Sequence, residues 1–135
     1  MFQNEVVHLV AWGETDPAGI VFYPNFYHWF DMATHEMFKA AGLSPSELLS
    51  RESIIIPLVS ASAEFMKSVK YDETVTIRTR VQRVGSKSIT LSQEVLLNGE
   101  TAVKGTEVRV WSKNNDGSIK GMLIPEKVKN ILLGP

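Results

Sequence analysis

The sequence predicts an α+β fold in which a curved antiparallel β-sheet wraps around one long central α-helix. A helical apolar pattern follows Pro24, whereas most of the chain after Ser60 shows the β-branched pattern of strands separated by turn residues. A long helix with a broad aromatic stripe needs cover along much of its surface. One antiparallel sheet with a buried face can supply that cover.

Length and composition limit the class of protein. The 135 residues contain no repeat, low-complexity segment or linker, so we predict a single domain over residues 1–135. A formal net charge of −1 argues against a general nucleic-acid binder. The absence of cysteine excludes thiol catalysis, disulfides and Cys-based metal sites. No signal-peptide pattern or membrane-length apolar run occurs, so we expect a cytoplasmic protein with no membrane partner.

The first half of the chain predicts one strand and two helices. Residues Glu5 to Ala11 are mostly apolar or β-branched, which favours a strand. Pro24 suits the first turn of the long helix, and Gly42 suits its end. Ser44-Pro45-Ser46-Glu47 has the composition of a capping box, so a second helix is expected from Pro45 to about Ser50. The residues at helical spacing in the long helix are Phe26, Phe30, Ala33, Met37, Phe38 and Ala41.

The second half predicts an antiparallel meander. Pro57 interrupts an apolar run, Ile54 to Val59, and marks an edge or bulged strand. Asn98-Gly99 is a two-residue hairpin signal, Asn114 to Gly117 is a further turn, and Pro125 begins a last short helix. The four main strand candidates are Ser60 to Lys67, Thr74 to Val84, Lys87 to Leu97, and Thr101 to Ser112.

The run from Trp12 to Tyr27 holds the leading candidate for chemistry. Asp16 is followed by Pro17 and Gly19, which favour a bend, and the long helix begins a few residues later. A carboxylate beside a helix start can act as nucleophile or general base, while the helix N–H groups polarise a carbonyl. These two parts suffice for acyl transfer. Equally, Asp-Pro is a common turn former, so Asp16 could serve only the turn.

A second group of titratable residues lies on the long helix. His28, Asp31 and His35 share one face at spacings of three and four, which suits a metal site, an acid–base cluster or a polar stripe facing a partner. His-Glu-x-x-His is absent because Met37, Phe38 and Lys39 follow Glu36. Phosphate-binding glycine loops are absent too. We therefore predict no metal and no cofactor, and we interpret the stripe as polar surface or subunit contact.

The remaining polar residues are weaker candidates. Glu36, Glu64 and His8 are interpreted as structural, and Ser60 and Ser62 lack the Gly-x-Ser-x-Gly pattern of a serine hydrolase. Six basic residues on the predicted sheet and its turns either form a solvated face or bind the phosphates of a nucleotide-bearing substrate. They are Lys67, Lys70, Arg78, Arg80, Arg83 and Lys87.

The run Asp16-Pro-Ala-Gly-Ile-Val-Phe-Tyr-Pro-Asn25, together with Trp29 and Asp31, resembles the hot-dog-fold 4-hydroxybenzoyl-CoA thioesterase family. The resemblance implies acyl-CoA hydrolysis with Asp16 as nucleophile or general base and the backbone N–H of Tyr23 binding the thioester oxygen. It further implies that Gly19 shapes the loop and that Asp31 lies at the acyl-ring end. Lys87 falls where the family places basic hairpin residues near CoA phosphates.

The resemblance also bears on substrate and assembly. It favours a hydroxybenzoyl or dihydroxybenzoyl (gentisyl-type) CoA, with Trp12, Phe22, Phe26 and Trp29 as candidates for an aromatic slot. A short aliphatic acyl-CoA is the alternative substrate. A hot-dog dehydratase is disfavoured because the loop has no histidine, and a non-catalytic acyl-CoA binder stays open. Family members imply a homotetramer, a dimer of dimers with sites between subunits.

Overall fold

The computed structural model describes residues 1–134, which form eight strands and three α-helices. The strands are β1 (Gln3–Leu9), β2 (Ile54–Ile55), β3 (Leu58–Phe65), β4 (Thr74–Val84), β5 (Ser88–Leu97), β6 (Glu100–Val110), β7 (Ser112–Asn115) and β8 (Ser118–Gly121). The helices are α1 (Pro24–Ala40), α2 (Pro45–Glu52) and α3 (Glu126–Leu133). The predicted order of strand, long helix, short helix and meander is confirmed.

The main sheet has five strands in the order β1-β4-β5-β6-β3, and every neighbouring pair is antiparallel. A second, three-stranded sheet has the order β2-β7-β8. Strand β3 lies at one edge of the main sheet, and seven of its eight residues are exposed. The chain thus has the hot-dog arrangement of one antiparallel sheet packed against a long helix.

Helix α1 is the centre of the hydrophobic core. Pro24 occupies its first turn, and Gly42 takes a φ of +79° just beyond its end, a conformation that favours glycine. Its buried face meets the inward-facing side chains of the sheet, which alternate with outward-facing ones. The helix comes close to β6 at Gly105, where an added Cβ would lie 2.6 Å from Phe30 Cε2. The buried residues of α1 are Phe26, Trp29, Phe30, Ala33, Thr34, Met37 and Phe38.

Both turns predicted in the second half of the chain, at Asn98-Gly99 and at Asn114 to Gly117, are present. Asn98 and Gly99 have φ values of 52° and 78°, as the predicted two-residue hairpin requires. The turn at Asn114 to Gly117 joins β7 to β8, two short strands that the pattern did not predict. The capping box at Ser44 is wrong, because its hydroxyl pairs with the Ser46 hydroxyl at 3.1 Å instead of a backbone N–H. Within residues 1–134 no helix is long and apolar enough to span a membrane.

Candidate active site

The loop between β1 and α1 is closed by its own backbone. Thr15 pairs with Val21 in a β-bridge, and the Asp16 N–H donates to the Ile20 carbonyl at 2.9 Å. The Gly19 N–H returns to the Asp16 carbonyl at 2.9 Å, and Gly19 has a φ of +80°. Since that φ disfavours residues with a Cβ, glycine allows the tight return of the chain.

The carboxylate of Asp16 is only partly engaged. Its Oδ1 accepts the Ala18 N–H at 2.9 Å, forming a small turn that fixes the side chain. Its Oδ2 accepts no protein hydrogen bond within residues 1–134, and the residue is partly exposed. One carboxylate oxygen is therefore positioned while the other is available to water or a ligand.

The start of α1 leaves one backbone donor free. The Phe22 N–H donates to the Glu14 carbonyl at 2.9 Å, and the Asn25 N–H donates to the Phe22 carbonyl at 2.9 Å. Pro24 has no N–H. The N–H of Tyr23 meets no protein acceptor in the described part of the chain. A single free N–H at the positive end of a helix dipole is suited to a carbonyl oxygen that gains negative charge.

Glu14, which the sequence analysis did not single out, connects this loop to the core. Its carboxylate accepts hydrogen bonds from His8 Nε2 at 2.8 Å, from the Ala11 N–H at 2.8 Å and from Trp29 Nε1 at 2.6 Å. Burial raises the pKa of Glu14, but these three donors together with the charge of His8 outweigh burial and hold it below the usual value. His8, predicted to be structural, also contacts the Trp29 ring at a centroid distance of 4.6 Å.

Asp31 lies on α1 about two helical turns after Tyr23, and it belongs to a second polar cluster. Its Oδ1 accepts a hydrogen bond from Arg109 Nη2 at 2.7 Å, and the Arg109 side chain is only 4% exposed. Arg109 also pairs with the buried carboxylate of Glu107 through Nε at 3.0 Å. Burial lowers the pKa of Arg109, whereas its contacts with Glu107 and then Asp31 outweigh burial and raise the pKa above its usual value.

The same cluster continues into the core through neutral groups. The Thr34 hydroxyl donates to Glu107 Oε1 at 2.7 Å, and Gln93 Nε2 donates to Thr34 at 2.7 Å. The Gln93 Oε1 and Thr79 Oγ1 atoms are buried without a partner within residues 1–134. Glu107 and Arg109 were missed, although a signal existed. Both fall on the inward face of the predicted strand by its period of two.

The predicted aromatic slot does not form within the chain. Phe26 and Trp29 are core residues, 4% and 1% exposed, whereas Trp12 is 78% exposed and Phe22 is 49% exposed. This prediction was wrong because the helical stripe places Phe26 and Trp29 on the buried face of α1. A different surface cavity of about 250 Å³ lies beside the helix start. Its lining includes Tyr23, Phe26, Phe65 and Met66.

The basic residues are not gathered at the loop. Arg78 pairs with Glu5 at 2.8 Å and Arg80 donates to Gln3 at 3.1 Å, as on a solvated sheet face. Lys87 is exposed in the turn after β4, whereas the Asp16 loop adjoins the opposite end of that strand. An eleven-residue strand is roughly 35 Å long, so the two lie far apart in one chain.

The helix stripe predicted at His28, Asp31 and His35 is exposed along its length, and so is Glu36 beside it. His35 Nδ1 lies 2.7 Å from the Asp31 carbonyl oxygen and 3.7 Å from its Oδ1. Within residues 1–134 no three His, Asp or Glu side chains are grouped as metal ligands. The stripe is therefore open to a partner or to substrate, with Asp31 as its one residue held by a buried cation.

Comparisons with known proteins identify the family of this chain. The model of the thioesterase superfamily matches residues 18–104. The 4-hydroxybenzoyl-CoA thioesterase of Pseudomonas sp. (strain CBS-3) is 28% identical over 123 residues, 86% of this chain and 87% of that protein. A gentisyl-coenzyme A thioesterase structure has a TM-score of 0.83 at 32% identity and covers 97% of this chain and 100% of that one.

A second solved structure is an aspartate-to-asparagine mutant of 4-hydroxybenzoyl-CoA thioesterase in complex with 4-hydroxybenzoyl-CoA. It has a TM-score of 0.89 at 26% identity and covers 98% of this chain and 99% of that chain. The superfamily match spans more than half of the sequence, and the structural likeness extends over nearly all of it. The chain therefore belongs to the thioesterase superfamily, as a member of its hot-dog-fold 4-hydroxybenzoyl-CoA thioesterase family, and is an acyl-CoA thioester hydrolase.

Proposed function

We propose that this enzyme hydrolyses an aromatic acyl-CoA, of the hydroxybenzoyl or dihydroxybenzoyl type, with Asp16 as the reacting carboxylate. The observation that carries the proposal is that one short loop contains both a carboxylate oxygen and a backbone N–H that are available to a ligand. Asp16 Oδ2 and the Tyr23 N–H both lack protein partners within residues 1–134, and backbone hydrogen bonds hold each of them in place. A thioester carbonyl bound to the Tyr23 N–H would present its carbon to the carboxylate.

Two routes are open to Asp16. The carboxylate can attack the carbonyl carbon, which breaks the C–S bond, releases the CoA thiolate and leaves a mixed anhydride that water hydrolyses. Alternatively, the carboxylate removes a proton from water, and the resulting hydroxide attacks the carbonyl carbon, after which the C–S bond breaks and releases the free acid and the CoA thiolate. In both routes negative charge develops on the carbonyl oxygen, where the Tyr23 N–H and the dipole of α1 stabilise it.

Gly19 and Phe22 complete the loop in this proposal. Gly19 allows the turn that places the Asp16 carboxylate, because its φ of +80° suits glycine. Phe22 packs edge-on against Tyr23 at a centroid distance of 5.6 Å and leaves about half of its surface open. An exposed aromatic side chain beside the donor N–H offers an apolar wall for the substrate.

The aromatic acyl group is proposed from Asp31 and from the relatives. Asp31 lies eight residues after Tyr23 on α1, roughly 12 Å along the helix. Arg109 holds one of its oxygens, which leaves the other to accept a hydrogen bond from a ring hydroxyl. Related proteins are named for 4-hydroxybenzoyl-CoA and gentisyl-CoA. A short aliphatic acyl-CoA is the alternative substrate, and an acyl-CoA binder without activity is the alternative function.

A homotetramer, built as a dimer of dimers, completes the proposal. The exposed edge strand β3 has unpaired backbone groups that a second copy could pair with. Lys87 is too far from Asp16 to serve the same site within one chain, so it could contact CoA phosphates only in a site shared between subunits. Sedimentation of the purified protein tests the assembly, and a monomeric active enzyme would contradict it.

The deciding experiment measures CoA release from a panel of aromatic and aliphatic acyl-CoAs by the parent, Asp16→Asn and Asp116→Asn. The Asp16→Asn change removes the charge and keeps the shape, so we expect kcat to fall by about 10²- to 10⁴-fold. The control variant Asp116→Asn makes the same chemical change at the exposed β7–β8 turn and should leave kcat unaltered. Activity retained in Asp16→Asn, or no cleavage of any acyl-CoA by the parent, contradicts the proposal.

A further inference from the structure

Glu14 is linked by its backbone to both parts of the proposed site, the Asp16 carboxylate and the Tyr23 N–H. Asp16 lies two residues after Glu14 in the sequence. Phe22 and Asn25, on either side of Tyr23, both bind the backbone of Glu14. The Glu14 carbonyl accepts the Phe22 N–H at 2.9 Å and the Asn25 side-chain amide at 2.8 Å. The backbone of this one residue therefore sets both the beginning of the reactive loop and the start of α1.

The Glu14 side chain attaches that junction to two further elements. It bonds His8 on β1 and Trp29 on α1, which are 6 and 15 residues away in sequence. Glu14 is the last residue of a short 3₁₀ turn, Trp12–Glu14. A residue that served only to cap this turn would need no more than the Ala11 N–H at 2.8 Å. Trp29 is 1% exposed in the core, so its indole N–H is a rigid reference point for the loop.

We infer that Glu14 is a positioning residue for the thioester hydrolysis, holding Asp16 against the Tyr23 end of α1 through its bonds to His8, Ala11 and Trp29. This inference rests on the proposed function of Asp16. Glu14 touches no substrate in this scheme, because all three of its donors are protein groups. Its carboxylate is the charge-assisted acceptor that three separate donors share, a role that a neutral amide fulfils only in part.

The geometry has a kinetic consequence. A misplacement of a catalytic group by about 1 Å can reduce a rate by about 100-fold. The Glu14→Gln change retains one acceptor oxygen but replaces the other by a donor, which cannot accept from His8 or Trp29. Glu14→Met retains the length of the side chain and no oxygen acceptor. We therefore expect a graded loss of kcat, about 10- to 100-fold for Glu14→Gln and greater for Glu14→Met, with a smaller change in KM.

The test combines kinetics with an NMR observation that needs no turnover. The Ala18 amide reports on Asp16, since it donates to Oδ1, and the Trp29 indole reports on Glu14 itself. In both Glu14 variants we expect both resonances to move. Glu5→Gln is the matched control, because Glu5 pairs with Arg78 on the outer sheet face. It should leave the Ala18 resonance and kcat at the parent values.

The outcomes separate this inference from the proposed function. If the Ala18 resonance stays at the parent position in folded Glu14→Gln, or if kcat is unaltered, Glu14 does not position Asp16 and the inference is wrong. If the parent cleaves no acyl-CoA, the proposed function fails, while the Ala18 resonance still decides whether Glu14 places Asp16. Should Glu14→Met not fold, the isosteric Glu14→Gln retains the whole test.

Discussion

Two carboxylates, Glu14 and Glu107, organise separate polar clusters next to residues of the proposed site, and they do so in different ways. Glu14, at the loop, is 21% exposed and is bound by one histidine and two neutral N–H groups. Glu107, in the core, is 3% exposed and faces the guanidinium of Arg109. The Glu14 cluster joins the Asp16 loop to α1. In the Glu107 cluster, Arg109 neutralises a buried carboxylate and also binds Asp31 at the surface.

This difference predicts different phenotypes. A loop held by hydrogen bonds at a partly exposed site can shift without unfolding the protein, so damage there should appear mainly in kcat. A buried ion pair that loses one partner leaves an uncompensated charge in the core. Damage there should appear mainly in stability. Variants in the core and in the loop test this division, and those in the core should have the largest effect on the free energy of unfolding.

The largest effect is expected for Arg109→Met. The change leaves Glu107 buried without its cation and should lower the free energy of unfolding by about 3–5 kcal/mol, measured by urea denaturation. Arg78→Met is the matched control, because Arg78 pairs with Glu5 at the surface and should cost less than about 1 kcal/mol. Equal stability of Arg109→Met and the parent would show that the buried cluster is not the stabilising one.

A comparison of two glycines sharpens the same contrast. An added Cβ at Gly105 meets the Phe30 ring at 2.6 Å, and Phe30 is 1% exposed, so Gly105→Ala should cost about 1–3 kcal/mol. At Gly19 no atom lies within 4 Å of the added Cβ, and only the φ of +80° opposes alanine. We expect Gly19→Ala to cost about 1 kcal/mol, with the greater effect on kcat.

Thermal unfolding and steady-state kinetics of the two glycine variants test this ranking. In the core variant, kcat per folded molecule should stay near the parent value, since Gly105 lies beneath α1 and away from the loop. In the loop variant, Gly19→Ala, kcat per folded molecule should fall. A Gly19→Ala protein with parent kcat would indicate that the turn tolerates a different conformation, and it would weaken the proposed role of this residue.

The fold was predictable because its signals are local. Pro24 and the helical apolar spacing after it predicted α1, and Asn98-Gly99 predicted the β5–β6 hairpin to the residue. The capping box failed for a local reason as well, since the Ser44 hydroxyl has the nearer Ser46 hydroxyl as a partner. Periodicity correctly predicted a buried face for Phe26 and Trp29, although Phe26 also lines the surface cavity beside the helix start.

The two clusters were not predictable in the same way. Glu14 meets Trp29 across 15 residues, and Arg109 meets Asp31 across 78, so no short pattern reports either contact. Asp16 was identified because Asp-Pro-x-Gly is a compact motif beside a helix start. Glu107 and Arg109 fall on the inward face of a strand whose other buried residues are apolar or glycine. Two charges at that register indicate a buried pair, although the register alone does not name Asp31 as their third member.

The effect on stability expected at Glu14 is as small as that at Gly19, and its dependence on pH reveals its origin. The pKa of Glu14 in the folded protein lies below the ordinary value of 4.5, because hydrogen bonds from Ala11, His8 and Trp29 to the ionised form outweigh burial. The ionised carboxylate thus stabilises the fold above pH 4.5, and this contribution is lost as the pH falls through the lowered pKa.

We therefore expect Glu14→Gln to be less stable than the parent by about 1 kcal/mol at pH 7, and the gap to narrow below pH 4.5. Urea denaturation of both proteins between pH 7 and pH 3 measures the gap, with Glu5→Gln as the control for an exposed carboxylate. A gap that stays constant over this range would mean that the charge of Glu14 contributes nothing. The stability lost in the variant would then come from the exchange of a hydrogen-bond acceptor for a donor, and the contrast with the charged core cluster would become sharper.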